Sequence, residues 1–173
     1  MYYVLPMILT VVSGAEVSKV PHLDVGFSTG WNSPAGIAGM QAEYRPLEIL
    51  GTGLGVGKGV WGWRITPQAS FYPLGVDSAL FLNAGAAINL GGVEESGEYR
   101  IERSTIPTVH ASVGLRLSSF ANSYLNLMAG YSLALTKDNY REQNQKTLDG
   151  LTAGVYDAAQ PGGVVLGLTG GFG

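Results

Sequence analysis

The chain has 173 residues, 46% of them hydrophobic and only 13% charged, with a net charge of −3 and no cysteine. The acidic balance argues against nucleic acid, which wants a basic face. The lack of cysteine excludes disulfides, thiol catalysis and cysteine-ligated metal.

The length suits one domain. Charge is about half its usual ~25% share, and glycine, at 26 residues, is about twice its usual ~7%. No apolar run approaches the ~20 residues a membrane-spanning helix requires. Either the chain buries itself unusually well in water, or its outside faces lipid.

Residues 1–15, MYYVLPMILTVVSGA, read as the apolar core of a secretory signal, with Ser13 and Ala15 in a small-residue cleavage arrangement. No Lys or Arg stands near Met1, so a start further upstream, an extra strand or a buried leader are the alternatives. Residues 16–173 are then one domain.

From residue 22 the chain alternates with period two, the mark of strands with one apolar and one polar face. Over 22–30, Leu23, Val25 and Phe27 oppose Asp24, Gly26 and Ser28; WNSPAG at 31–36 is a turn by composition. Over 37–45, Ala38, Met40, Ala42 and Tyr44 oppose Gly39, Gln41, Glu43 and Arg45. Pro46, with no N–H to donate, is expected to end that ladder at a tight turn. Over 49–58, Leu50, Thr52, Leu54 and Val56 oppose Gly51, Gly53, Gly55 and Gly57. Glycines of one parity between apolar or β-branched residues predict a strand with a bare face, able to accept something bulky opposite.

Residues 61–73, WGWRITPQASFYP, show the pattern most fully. Trp61, Trp63, Ile65, Ala69 and Phe71 face one way, and Arg64, Thr66, Gln68, Ser70 and Tyr72 the other. Pro67 is expected at a bulge or a weakly paired site. Further strands are predicted over 79–91, 108–118, 124–135 and 164–173, about eight in all. An even number suits an antiparallel membrane barrel. Tight turns at Pro46, Pro73 and Ser119 fall at one end, and long segments 92–106 and 136–162 at the other. Those two segments hold more than half of the chain's charged residues. Short turns on the periplasmic side and longer loops outside are the asymmetry of outer-membrane barrels.

Alternation alone leaves open a soluble, lipocalin-like barrel with its apolar face inward around a ligand. Three observations favour the membrane. Asp24, Glu43, Arg45, Arg64, His110 and Arg116 share the polar parity, and an Arg facing lipid at the midplane costs roughly 2–4 kcal/mol. That face is otherwise Gly, Ser, Thr and Asn with almost no Lys, as a narrow lumen requires and a water-facing exterior does not. Aromatics also gather at both ends, Trp31, Trp61 and Trp63 at the loop end and Tyr44, Phe71, Tyr124 and Phe172 at the other, as interfacial girdles do. The expected fold is therefore all-β, an antiparallel up-and-down transmembrane β-barrel.

In this architecture, and in its terminal stretch VVLGLTGGFG, the chain over about 21–173 resembles the small eight-stranded outer-membrane barrels, the OmpA/OmpX-like group. The resemblance implies a bacterial outer-membrane location among membrane lipids and lipopolysaccharide. It also implies recognition of the Phe172-containing terminal strand by the barrel-assembly machinery. The family pattern ends on the aromatic itself, whereas here Gly173 follows Phe172.

Asp24, Glu43, Arg45, Arg64, His110 and Arg116 then form either a polar pathway for a small solute or an ion-pair network that plugs the lumen. An eight-stranded bore is only wide enough for side chains, which favours the plug. His110 and Ser112 resemble the His and Ser of outer-membrane lipid A 3-O-deacylases, but Val113 stands where that motif carries Asn. Two lumen residues are the simpler reading. With only His22 and His110, no metal site is expected. The glycine run 51–59 lacks the G-K-[ST] ending of a phosphate-binding loop, so no cofactor is expected either. The functional expectation is a non-enzymatic outer-membrane barrel, plugged, with segments 92–106 and 136–162 available for envelope integrity or an extracellular ligand. The alternatives are a narrow channel for small or apolar solutes, a lipid A-modifying enzyme, and a soluble binding barrel.

Overall fold

The computed structural model describes residues 22–75, 79–96, 99–118, 122–136, 140–142 and 160–173. The expected signal segment, 1–15, lies outside the described residues, as does most of 136–162.

Among the described residues eleven strands follow in chain order: β1 His22–Trp31, β2 Ala38–Leu47, β3 Leu50–Lys58, β4 Trp63–Phe71, β5 Leu80–Asn89, β6 Gly92–Ser96, β7 Tyr99–Arg103, β8 Ile106–Ser118, β9 Ser123–Ala134, β10 Tyr140–Glu142 and β11 Gly163–Phe172. Eight of them close into one antiparallel up-and-down barrel in the order β1-β11-β9-β8-β5-β4-β3-β2. Closure is made by β1, which pairs β2 on one side and β11 on the other, Phe27 standing between Met40 and Gly170. No edge strand of the barrel is left open.

Period-two alternation sorts the side chains throughout. Large apolar residues point outward, with Phe27 at 73% exposure and Leu54, Leu82, Val113, Leu127 and Leu166 also exposed. Asp24, Ser28, Gln41, Arg45, Arg64, Thr66, Gln68, Ser70, Asn83, His110, Ser112 and Thr169 point inward and are buried. The barrel is thus inverted relative to a water-soluble protein, in which charge lies outside and apolar groups within.

The bare face of β3 has the role its sequence suggests. Loop 32–36, the WNSPAG turn, folds back into the mouth of the bore, and Ser33, Pro34, Ala35 and Gly36 are buried there. A Cβ on Gly55 would stand 2.8 Å from the Pro34 carbonyl oxygen, and one on Gly39 2.6 Å from that of Ala35. The loop is held by Ser33 Oγ donating to the Gly36 carbonyl, 2.5 Å, and Asn32 Nδ2 donating to the Gly162 carbonyl, 2.5 Å. Gly36 has φ 73° and Asn32 φ 51°, left-handed conformations that let the chain reverse inside so small a space.

Four expectations need correction. Pro46 does not end β2. The strand runs on to Leu47, and the ladder with β3 shifts register between Tyr44 and Leu47, a bulge that takes up the missing donor. Segment 92–106 is not wholly a loop. Strands β6 and β7 pair as a hairpin, β10 adds to β7, and Ile106 already belongs to β8. Trp61 does not share the outward face of Trp63. It precedes β4, and Gly62, at φ 149°, breaks the alternation, so Trp61 turns inward to 3% exposure and donates from Nε1 to the Ser104 carbonyl, 2.8 Å. Tyr124 is likewise no outer girdle residue. It lies on the inward parity of β9 with Met128 and Ser132, at 7% exposure. Pro67, by contrast, sits where Thr66 and Pro67 lack partners on β5 while the register on either side is unchanged, the weakly paired site expected of it.

If loop 32–36 is seated against the glycine face, Gly55→Leu should expel it. A cysteine placed at Ala35, in a chain with no other, should resist a water-soluble maleimide in the parent and react in the Gly55→Leu background. The same variant should cost about 1–3 kcal/mol of stability, as overpacking does. Equal labelling in both backgrounds would mean the loop is not seated in the bore.

Candidate functional site: the filled bore

The interior is arranged in tiers along the axis. The first, at the end carrying both barrel termini, is ionic. Asp24 on β1 accepts from Arg45 Nη2 at 2.6 Å and from Arg116 Nη1 and Nη2 at 2.9 and 3.2 Å. Arg45 comes from neighbouring β2, but Arg116 comes from β8, on the far wall. One carboxylate therefore ties opposite sides of the barrel together. Glu43 accepts from Ser70 Oγ and from the Tyr72 hydroxyl, both at 2.6 Å. Its 3.7 Å approach to Arg45 Nε is an ion pair too long to be a hydrogen bond. Tyr72 lies just beyond β4, and burial, followed by the neighbouring Glu43 carboxylate, raises its pKa above the ordinary phenol value.

Aromatic rings line the same tier. The Arg116 guanidinium lies 4.1 Å from the Tyr124 ring centroid and that of Arg45 5.0 Å from the Tyr72 centroid, so both cations also rest on π faces. Tyr72, Phe81 and Met128 form the apolar cluster beside them. Phe81, Met128 and Tyr124 each have a glycine for a seat. A Cβ on Gly114 would strike the Phe81 ring, and one on Gly167 would stand 2.7 Å from Met128 Cγ. One on Gly26 would stand 2.8 Å from the Tyr124 hydroxyl.

The middle tier is neutral. Gln41 Nε2 donates to Ser28 at 2.8 Å and to Thr169 at 3.2 Å, and Gln68 Nε2 donates to Gln41 Oε1 at 3.2 Å. Gln41 and Glu43 belong to β2, while Gln68 and Ser70 belong to β4. They meet directly because β3, which separates them in the wall, presents only glycine to the bore. Asn83 links Ser70, at 3.1 Å, to His110 Nε2, also at 3.1 Å. Among the described residues His110 Nδ1 and Ser112 Oγ have no hydrogen-bond partner, so the H-x-S residues share a face without bonding to each other.

The third tier, at the loop end, is built on Arg64. Its Nη1 donates to Asn89 Oδ1 at 3.0 Å and its Nε to Thr66 at 3.3 Å, while Asn89 Nδ2 donates to the Ile106 carbonyl at 2.9 Å. Loop 32–36 and Trp61 cover this tier.

Of the six residues expected in a lumen network, all face the bore, but only Asp24, Glu43, Arg45 and Arg116 are brought together as ions. His110 is bound to the neutral Asn83, and Arg64 lies at the opposite end with neutral partners. Trp31, Trp63, Tyr44, Phe71 and Phe172 lie exposed on the outer surface, while Trp61 and Tyr124 are inside. Tyr72, Phe81, Gln41 and Gln68, whose parity in the sequence is that of the polar face, join the interior network although none was expected there as a site residue. Loop 32–36 reads in sequence as an ordinary turn, and its only inward signal was the bare glycine face opposite.

The class defined by this geometry is a closed eight-stranded antiparallel barrel with a polar, filled interior. No family model matches the sequence, and no curated protein matches it.

Asp24 is the group on which the ionic tier depends. Asp24→Asn would leave two buried guanidinium groups without that charge, and removing one partner of a buried pair typically costs about 3–5 kcal/mol. Glu43→Gln keeps its two hydroxyl donors in reach and should cost less. Unfolding in denaturant should show this order, and an Asp24→Asn protein as stable as the parent would contradict it.

Proposed function

We propose that the protein is an integral outer-membrane β-barrel of a bacterial envelope. In this reading it is non-enzymatic, its bore is closed by side chains and by loop 32–36, and it acts in envelope integrity or surface interaction through its loop end. One observation carries the reading: the outer wall is apolar along every barrel strand while Asp24, Glu43, Arg45, Arg64 and Arg116 face the bore, and the outward Lys58 stands at the loop-end terminus of β3. In water such a wall would be an exposed apolar surface far beyond the few hundred Å² usual for a soluble monomer. In a bilayer it is what the surroundings require, and a closed barrel meets the further demand that every backbone group pair internally. Trp63 and Trp31 at the loop end, with Phe71, Tyr44 and Phe172 at the other, give the outer surface aromatic residues near both rims.

The non-enzymatic, plugged reading rests on the interior. The ionic tier is tied across the bore by Asp24, and the opposite mouth is occupied by loop 32–36. His110 and Ser112 face this interior rather than the lipid surface, where an acyl substrate would lie. The charged segments 92–106 and 136–162 belong to the loop end and are the natural surface for an extracellular ligand. Membrane lipids, with lipopolysaccharide in the outer leaflet, are the expected neighbours of the wall. Strand β11, ending at Phe172, is the expected contact of the assembly machinery.

Three measurements test this proposal together. The protein should fractionate with outer membranes and require detergent for release. Unheated samples should migrate differently from boiled ones on a denaturing gel. In planar bilayers it should give no steady large conductance. Release into buffer without detergent would favour the soluble binding barrel, and a steady conductance would favour the narrow channel.

A further inference from the structure

The outward face of the barrel strands carries charge at one place. Among the described residues of those eight strands, Asp24, Glu43, Arg45, Arg64 and Arg116 face the bore, and Lys58 stands on the outward parity, in line with Leu54 and Val56. It is exposed and is the last residue of β3, at the loop end. Its backbone is held firmly. The Lys58 carbonyl accepts from the Ile37 N–H at 2.9 Å, and the Gly59 N–H closes the following turn by donating to the Gly62 carbonyl at 2.7 Å.

The register partners of Lys58 are Ala38 on β2 and Trp63 on β4. Ala38 leaves room on the wall for the lysine stem. Trp63 is 58% exposed. Residues directly opposite on adjacent strands have Cβ atoms about 4.5–5.5 Å apart, so the ammonium and the indole can reach one and the same group. A second cation is anchored at this turn, where Arg103 Nη1 donates to the Val60 carbonyl at 3.2 Å.

A lysine on a lipid-facing wall is costly at the midplane and tolerated at the interface, where its stem lies on apolar surface and its ammonium reaches the polar layer. Tryptophan prefers the same level, with its ring among acyl chains and its N–H toward the head groups. Lys58 and Trp63 together therefore mark a head-group level at the loop end. An ammonium there selects for negative charge. A zwitterionic head group already holds its own cation beside the phosphate, whereas a phosphomonoester leaves its full charge to the protein.

We propose that Lys58 and Trp63 form a docking site for a phosphomonoester-bearing glycolipid in the leaflet around the loop end. Lys58 pairs with the phosphate, and the Trp63 indole packs on the lipid beside it. The site rests on the membrane reading above and names which lipid the wall prefers, and where.

The full chain, folded in non-ionic detergent, is to be titrated with phosphorylated lipid A and with the same lipid after enzymatic dephosphorylation, and the bound lipid read by native mass spectrometry. The phosphorylated form should bind about fivefold more tightly, the worth of one interfacial cation. Lys58→Gln should remove that preference and Lys58→Arg should keep it, while Trp63→Leu should weaken both lipids. Excess inorganic phosphate should not displace the lipid. Equal binding of the two lipids would overturn the site while leaving the membrane reading intact, as would a preference that survives in Lys58→Gln. Displacement by inorganic phosphate would overturn the lipid as its occupant. Retention of neither lipid, by a protein that also stays in solution without detergent, would overturn the site and the membrane reading together.

Discussion

Eight strands enclose a narrow bore, filled here by side chains and, at one mouth, by loop 32–36. Large inward groups therefore need small ones beside them, and that complementarity shapes much of the structure. Phe81 rests against Gly114, Met128 against Gly167, and Tyr124 against Gly26 and Gly171. Glycine in a strand ordinarily weakens it. Here the loss is local, and the gain is a bore packed without collision. The four glycines of β3 extend the same logic, since they remove one wall strand from the interior and let side chains of β2 and β4 bond across it.

Closure and inversion reinforce one another. A barrel with no open edge satisfies its backbone by itself, so its outer wall can be wholly apolar. The polar side chains must then go inside, where an unpaired charge is costly. Asp24 resolves two of the three lumen arginines by bridging β2 and β8, and in doing so it braces opposite walls. The ionic tier is thus a cross-brace as well as a plug.

Much of this was legible in the sequence because period two has only two phases. Once Leu54 and Leu82 are placed outside, Gly53 and Asn83 must be inside, and the burial along each strand follows. What was not legible has specific causes. Trp61 misled because Gly62, at φ 149°, interrupts a parity that the letters W-G-W preserve. Tyr124 was assigned by its nearness to a strand end, although its own parity, shared with Met128, places it within. The WNSPAG turn reads as an ordinary surface connection, because an inward fold of a loop leaves its mark on other strands, in Gly39, Gly55 and Gly167. Pro46 was given its usual meaning as a breaker, but a bulge can take up a missing donor and keep the strand going.

The two ends of the bore differ in kind, and the difference follows from what each has to close. At the end of the tight turns, the narrow bore brings side chains of separate walls together, and Asp24 and Glu43 answer Arg45 and Arg116. At the loop end, the space across from Arg64 is taken by a backbone segment, Ser33 to Gly36, and by the Trp61 indole, neither of which carries a negative charge. A main-chain plug closes the mouth efficiently, yet it cannot neutralise the cation beneath it. The asymmetry of charge along the axis is therefore a consequence of plugging one end with side chains and the other with a loop. It places beneath the mouth a guanidinium with which, among the described residues, no carboxylate forms an ion pair.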